Sequence, residues 1–360
     1  MARPAVARIS RRSLRHNAGR VRALAPHSRL LACVKADGYG HGLTRVAGAL
    51  SGHCDGFAVA CLEEALALRS AGITEPVVLL EGVLEADEWP LAAQHGLTVC
   101  VNSAQQIDWL EAQALASHVA CWLKVDTGMH RLGVAPQAVP ELLDRLQRGP
   151  VGREPIVLLT HFASADQREE STAQAQLAQF TGATQGLSQP RSTANSAAIM
   201  RMPETHLDWV RPGYMLYGGS PFGDETAAQH DLRPAMEFES AVIALRDVPR
   251  GEAVGYGGRW VARRPSRIAT VAAGYGDGYP RHAPDGTPVL VAGQRAALAG
   301  RVSMDMITVD VTDLSQVTVG SPVLLWGAAL PVDEVADAAG TIGYELLAGM
   351  PPRVPRIDAD

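Results

Sequence analysis

The chain is short of cysteine, and its five residues, Cys33, Cys54, Cys61, Cys100 and Cys121, are odd in number with no Cys-x-x-Cys spacing. Neither a disulfide framework nor a zinc site is suggested. Cys33, Cys100 and Cys121 fall inside apolar, strand-like runs and read as small core residues. No apolar run approaches the ~20 residues of a membrane-spanning helix. The opening segment, 1–12, is basic but has no apolar block of the kind that marks an export signal, so a cytoplasmic location is expected. No excess of positive charge exists either. The net charge is -6, which makes nucleic acid or an acidic membrane surface an unexpected partner. Fixed-period repeats and low-complexity tracts are also missing.

At 360 residues the chain exceeds one ordinary core, so two domains are expected. Its 47% hydrophobic and 19% charged residues are ordinary for a soluble globular protein. The first part alternates short apolar runs with helical patterns. The runs cover 29–35, 55–60, 76–81, 97–101, 120–126, 156–161, 191–195 and 207–211. Helical spacing between them is clearest over 61–71, 104–116 and 172–187. Eight strands alternating with helices predict a closed (β/α)8 TIM-type barrel. An open doubly wound sheet is the alternative, and no Gly-x-Gly-x-x-Gly after the first run supports it. Beyond about residue 225 helical periodicity fades. Short β-rich runs at 239–245, 267–273, 289–291 and 306–311 are punctuated by Gly and Pro. The expected organisation is a barrel over 1–225 and a mostly β domain over 226–360, joined near 219–234.

Chemistry gathers at predicted strand ends. The run Leu30-Leu31-Ala32-Cys33-Val34 ends on Lys35, followed by Ala36-Asp37-Gly38-Tyr39-Gly40-His41-Gly42. A lysine ending a buried strand often has a lowered pKa and serves as an amine nucleophile. Amine nucleophiles form Schiff bases, and pyridoxal phosphate is their usual carbonyl partner. The same lysine also reads as a strand-end side chain that snorkels to solvent. The other predicted strand ends carry Lys124 with Asp126, His161, Asn195 with Ser196, and Arg211. In a TIM-type barrel the C-terminal strand ends hold the chemistry, and phosphate sites favour the loops after strands seven and eight. Those loops are Asn195-Ser196-Ala197-Ala198 and Arg211-Pro212-Gly213-Tyr214, where Ser196 offers a hydroxyl and Gly213 lets the backbone approach an anion. Asn195-Ser196 also reads as a helix N-cap, Lys124–His130–Arg131 as a salt-bridged surface turn, and His161 as a structural histidine.

Taken together these segments resemble alanine racemases. Val34-Lys35-Ala36-Asp37-Gly38-Tyr39-Gly40-His41-Gly42 is similar to that family's cofactor-lysine signature, and Lys124-Val125-Asp126-Thr127-Gly128-Met129-His130-Arg131-Leu132-Gly133 to a second family segment. His161-Phe162-Ala163-Ser164-Ala165-Asp166, Asn195-Ser196-Ala197, Arg211 to Gly218, Gly255-Tyr256-Gly257, Gly274 to Gly278 and Arg301-Val302-Ser303-Met304-Asp305 follow in the family's order. The resemblance runs from about residue 5 to 357 and implies a barrel followed by a β domain.

The resemblance also implies roles. Lys35 would hold pyridoxal 5'-phosphate covalently. Tyr39, Ser196 with Asn195, Gly213, Tyr214 and Tyr344 would bind its phosphate. Arg211 would face the pyridine nitrogen with His161 behind it. Arg131 would contact the phenolic oxygen and the substrate, and Lys124, carboxylated in many members, would orient Arg131. The Met304 N–H, beside Asp305, would receive the substrate carboxylate, and Asp166 and Tyr275 would line the entrance. Tyr256 would be the second acid/base. Racemisation needs two such groups on opposite faces of a flat intermediate, and Lys35 and Tyr256 would provide them. In the family that tyrosine comes from the other subunit, which implies a homodimer with shared sites. Alanine is the implied substrate, with D-alanine either supplied for peptidoglycan or degraded. A serine or broad-specificity racemase, a non-catalytic pyridoxal phosphate-binding protein and a barrel-type decarboxylase are the rivals. Two departures stand out: Ala36-Asp37-Gly38 where many members have Ala-Asn-Ala, and Tyr214 where isoleucine is more usual.

Overall fold

The computed structural model describes residues 3–115, 117–152 and 155–360. The first two residues of the basic opening segment, and Ala116 at the end of one predicted helix, lie outside them.

Eight parallel strands close a barrel in chain order: Arg29–Cys33, Gly56–Val59, Val77–Leu79, Thr98–Val101, Ala120–Lys124, Val157–Leu159, Arg191–Ser192 and Trp209–Val210. The last strand pairs with the first through Arg29↔Trp209 and Leu30↔Val210. Every predicted run holds one of these strands, each shorter than its run. Alternation along the strands divides the apolar residues. Leu31, Cys33, Ala58, Val78, Cys100, Trp122, Val157, Leu159 and Trp209 fill the interior. Leu30, Ala32, Phe57, Val77 and Val99 face outward into the core shared with the helices. The predicted helices are present as Leu62–Ser70, Ala104–Ala112 and Ser171–Ala183. All five cysteines are unpaired, and burial pushes the Cys100 thiol up to about 11.

Of the remaining strands, Ala253–Val254 pairs with Trp260–Val261 as a separate two-stranded ribbon, and eight form one sheet. Met236–Val248 is its longest member and pairs with Ser266–Val271, Pro322–Trp326 and Val6–Ile9. The strand Val6–Ile9, which the sequence reading does not anticipate, belongs to this sheet and not to the barrel. It runs antiparallel to Met236–Val248 and parallel to Arg356–Asp358. Four residues with Arg8 among them carry too weak a pattern to be read locally, but Ala7 and Ile9 alternate inward and are fully buried.

The helix Arg11–Leu24 then crosses to the barrel. Ser10 caps it by accepting the Ser13 N–H at 3.0 Å. Leu14, Asn17, Ala18 and Val21 form its buried face. Asn17 is fully buried and saturates the segment that links barrel to sheet. It donates to the carbonyls of Leu216 and Arg233 at 2.9 and 2.8 Å and accepts the Arg233 N–H at 2.8 Å. Removing it leaves buried backbone groups unpaired. Asn17→Ala is expected to lower unfolding free energy by about 2–4 kcal/mol. Denaturant titration checks this: the midpoint should fall with the m-value unchanged, and an unmoved midpoint contradicts it.

Candidate active site

The C-terminal ends of the barrel strands bring the cations together. Arg211, just past the last strand, is buried. One guanidinium nitrogen donates to Ser192 Oγ at 2.6 Å. The other donates to the Thr160 carbonyl at 2.6 Å, the Thr193 carbonyl at 3.2 Å and His161 Nδ1 at 3.4 Å. Its Nε has no partner among the described residues and is left as a free donor. Burial draws the guanidinium down from its usual range, though an arginine does not surrender its proton in a protein.

His161 accepts from Arg211 and so is unprotonated at Nδ1. Burial, and then the charges of Arg211, Lys124, Arg131 and Lys35, hold it well below the ordinary histidine range. These cations come from three strand ends: Lys35 after the first, Lys124 and Arg131 after the fifth, and Arg211 after the eighth. Lys124 is buried and has no carboxylate partner among the described residues, so the surface-turn reading fails for it. Burial is the main cause that lowers its ammonium pKa. Cys100 opposes this, and Arg211, Arg131 and Lys35 add to it. Asp126 builds the loop that carries Arg131, its Oδ1 accepting the N–H groups of Gly128, Met129 and His130 at 3.0–3.1 Å.

Lys35 opens a tight turn, Lys35–Tyr39, whose handedness the sequence does not reveal. Ala36, Asp37, Gly38 and Tyr39 all sit in the left-handed region, with φ of 54, 54, 61 and 50°. Asp37-Gly38 is suited to this conformation, as aspartate and glycine tolerate it best. Glu64 accepts the Ala36 and Ala60 N–H groups at 2.6 and 2.8 Å, and Asp37 Oδ1 accepts the Leu43 N–H at 2.8 Å. The turn aims Tyr39 across the barrel mouth, where its ring stacks on Tyr217 at 4.6 Å.

At the loops after strands seven and eight, Ser196 Oγ accepts the N–H groups of Gly213 and Met215 at 2.9 and 3.4 Å. Asn195 acts as the N-cap of the helix Ser196–Arg201, accepting the Ala198 N–H at 3.1 Å. Its side chain therefore serves the helix, and its bearing on a ligand is indirect. Glycine at 213 lets the Tyr39 hydroxyl sit here: a Cβ would stand 2.5 Å from Tyr39 Oη and push that ring away. The Tyr214 side chain turns away from this cup, so only its backbone N–H remains to bind there. Tyr344 is half-buried, 6.3 Å from Tyr39 between ring centroids, and its hydroxyl has no partner among the described residues.

Tyr275, Met304 and Asp305 form a second group in turns of the C-terminal part, and Tyr256 lies in a separate turn of the same part. The Tyr275 N–H donates to Ser303 O and the Gly276 N–H to Met304 O. Tyr256 is 67% exposed and Met304 54%. The Asp305 carboxylate is committed to Arg3 and Arg353, at 3.1 and 2.8 Å. Asp166 is exposed at the barrel rim. Among the described residues none of this second group hydrogen-bonds or stacks with the barrel-mouth cations. The sequence reading missed Ser192 and Thr160, which anchor Arg211, Tyr217, which supports Tyr39, and Asp333 behind Tyr214. Ser192, Thr160 and Asp333 lie outside the family-like segments, Tyr217 lies within the Arg211 to Gly218 segment without a role of its own there, and Asp333 meets Tyr214 only through the fold.

Comparison with known proteins agrees with this arrangement. The family model "Alanine racemase, N-terminal domain" matches residues 9–221, and "Alanine racemase, C-terminal domain" matches residues 235–358. An alanine racemase of Chromohalobacter salexigens is 52% identical over 356 residues, covering 99% of this chain and 98% of the relative. A biosynthetic alanine racemase of Pseudomonas aeruginosa is 50% identical over 354 residues, covering 98% of this chain and 99% of the relative. A crystal structure of the biosynthetic alanine racemase from Pseudomonas aeruginosa superposes with a TM-score of 0.96 at 49% identity, covering 99% of this chain and 100% of that one.

A buried histidine beside the site makes stability depend on pH. His41 Nδ1 donates to the Tyr39 carbonyl at 2.8 Å, while Nε2 is buried without a partner. Burial lowers its pKa to about 4. The fold therefore favours the neutral ring: the stabilisation is complete above the unfolded pKa of 6.5 and is lost as pH falls toward 4. The loss from this one group is roughly 3 kcal/mol across that window. Melting temperature measured from pH 7 to 4.5 should fall less steeply in His41→Gln, and an identical slope would contradict the assignment.

Proposed function

The chain belongs to the alanine racemase family, and from that premise we propose that it interconverts L-alanine and D-alanine with pyridoxal 5'-phosphate held by Lys35. The observation that carries the reading is the buried Arg211, 3.4 Å from His161, together with the buried Lys124, neither with a carboxylate partner among the described residues. Buried positive charge without carboxylate partners suits a ligand that brings a phosphate and a substrate that brings a carboxylate. The residues fit the cofactor. The bare backbone of Gly213 lets Tyr39 Oη sit against the cup, the Tyr214 N–H and Tyr344 hydroxyl are free donors among the described residues, and so is Arg211 Nε. Bound there, pyridoxal phosphate supplies an electron-withdrawing ring that acidifies the substrate's α-hydrogen.

The chain's own residues supply the rest. Lys35 moves the proton on one face of the α-carbon, and Tyr256 of a second copy moves it on the other. Tyr256 projects from its turn far too exposed to be a core residue, which suits a side chain that completes a neighbour's site in a homodimer. Arg211 would donate through Nε to the cofactor's ring nitrogen, and because a guanidinium keeps its own proton it would leave that nitrogen unprotonated. Arg131 would hold the cofactor's phenolic oxygen and the substrate carboxylate, and the Met304 N–H would also bind that carboxylate. Lys124, with its ammonium disfavoured, is poised to take up carbon dioxide as a carbamate that orients Arg131. Asp305, tied to Arg3 and Arg353, shapes the Met304 loop and leaves the substrate to Met304 and Arg131. Asp166 and Tyr275 line the entrance. The reaction supplies D-alanine for peptidoglycan in the cytoplasm.

Chiral chromatography after incubation with L-alanine should show D-alanine, and borohydride followed by peptide mapping should place the reduced cofactor on Lys35. Finding it on Lys124 would overturn the assignment. Lys35→Ala and Tyr256→Phe should each be nearly inactive, but mixed and re-annealed they should recover roughly a quarter of wild-type activity, because half the dimers are mixed and each holds one intact site. Mixed dimers without activity would exclude shared sites.

A further inference from the structure

The side chain of Tyr214 does not touch the phosphate cup, yet the structure is built around it. Its ring is buried and stacks on Tyr344 with centroids 3.8 Å apart and planes 16° from parallel. Its hydroxyl donates to Asp333 Oδ1 at 2.5 Å. Asp333 Oδ2 accepts the Ser220 N–H at 3.1 Å, so both carboxylate oxygens are used. Two glycines clear the slot. A Cβ on Gly343 would stand 1.7 Å from Tyr214 Oη and 2.6 Å from Asp333 Oδ1, and one on Gly219 would stand 2.1 Å from Tyr214 Cζ. Neither position could carry another residue while Tyr214 keeps this place.

Asp333 lies on the helix Val332–Ala339 and Tyr344 on the helix Gly343–Ala348, both in the C-terminal part. Tyr214 opens the short helical turn Tyr214–Tyr217, one residue after Gly213. The stack and the hydrogen bond therefore fasten the C-terminal helices to the loop that forms the cup.

We propose that Tyr214 and Asp333 form a positioning clamp that fixes the Tyr344 hydroxyl over the cofactor phosphate. Asp333 sets the tilt of the Tyr214 ring, and that ring sets the plane of Tyr344. Tyr344 would otherwise be free to swing, because its own hydroxyl has no protein partner among the described residues. The clamp rests on the reading that the cup holds a phosphate. It acts on affinity for the phosphate group and makes no contact with the reacting atoms.

The test is a set of titrations of apoprotein with pyridoxal phosphate and with pyridoxal, which lacks the phosphate, followed by quenching of tryptophan fluorescence. Tyr214→Phe and Asp333→Asn should each weaken pyridoxal phosphate about three- to tenfold, the worth of one hydrogen bond. Pyridoxal affinity should stay within about twofold of wild type, since its contacts with the ring are untouched. Made in a Tyr344→Phe background, the same substitutions should cost nothing further, because the hydroxyl they position is gone. Equal losses for both ligands, or losses that persist in Tyr344→Phe, would overturn the clamp and leave Tyr214 as ordinary packing. Wild-type apoprotein that binds pyridoxal but gains nothing from the phosphate would overturn the phosphate cup, and the clamp with it. Should Asp333→Asn fail to fold, Tyr214→Phe, which keeps the buried ring, decides the matter alone.

Discussion

A buried guanidinium without a carboxylate partner is the constraint on which the site depends. Taking Arg211 out of water costs several kcal/mol unless its donors are met and its charge answered. The barrel meets the donors with Ser192 Oγ and the carbonyls of Thr160 and Thr193. These groups stand together only because strands six, seven and eight are neighbours in a closed barrel. The charge itself is left over, and its effects spread. It adds to burial in keeping His161 neutral, helps to disfavour the Lys124 ammonium, and leaves the mouth in need of anions. Cofactor, substrate and a carbamate on Lys124 would each bring negative charge to it.

The second constraint is conformational. Left-handed backbone costs roughly 1–2 kcal/mol for a residue with a Cβ, and the turn after Lys35 holds several in succession. It persists because its hydrogen bonds are supplied from outside it: Glu64 anchors its start, and Arg356 donates to the Gly40 carbonyl at 3.0 Å. Strain held in this way fixes Lys35 and Tyr39 relative to each other before any ligand arrives. Arg356 belongs to the strand that pairs with Val6–Ile9, so the sheet and the lysine turn are mechanically connected.

Much of this was legible in the sequence. Eight apolar runs spaced by helical patterns are a local signal, and each strand was found where a run was, although the runs overstate the lengths. The last two barrel strands are only two residues each, too short for periodicity, and their runs are short and not strongly apolar. Lys35, Lys124, His161 and Arg211 were legible because a cation or imidazole ending an apolar run is costly and therefore conspicuous. The strand Val6–Ile9 was not, since its partners lie at the other end of the chain. Neither were Asn17, Asp333 and Tyr217, whose meaning lies in what they touch.

The sequence by itself determined the barrel, the order of its strands, the lysine and arginine at their ends, and the family to which the chain belongs. These follow from periodicity, from turn chemistry and from motifs that are contiguous along the chain. Tertiary structure alone decided the left-handed turn, the neutrality of His161, the commitment of Asp305 to Arg3 and Arg353, and the seating of Tyr214 against Asp333 and Tyr344. Each of those depends on how close remote residues come, and burial and Coulomb interaction act through distance in space, which the order of residues does not contain.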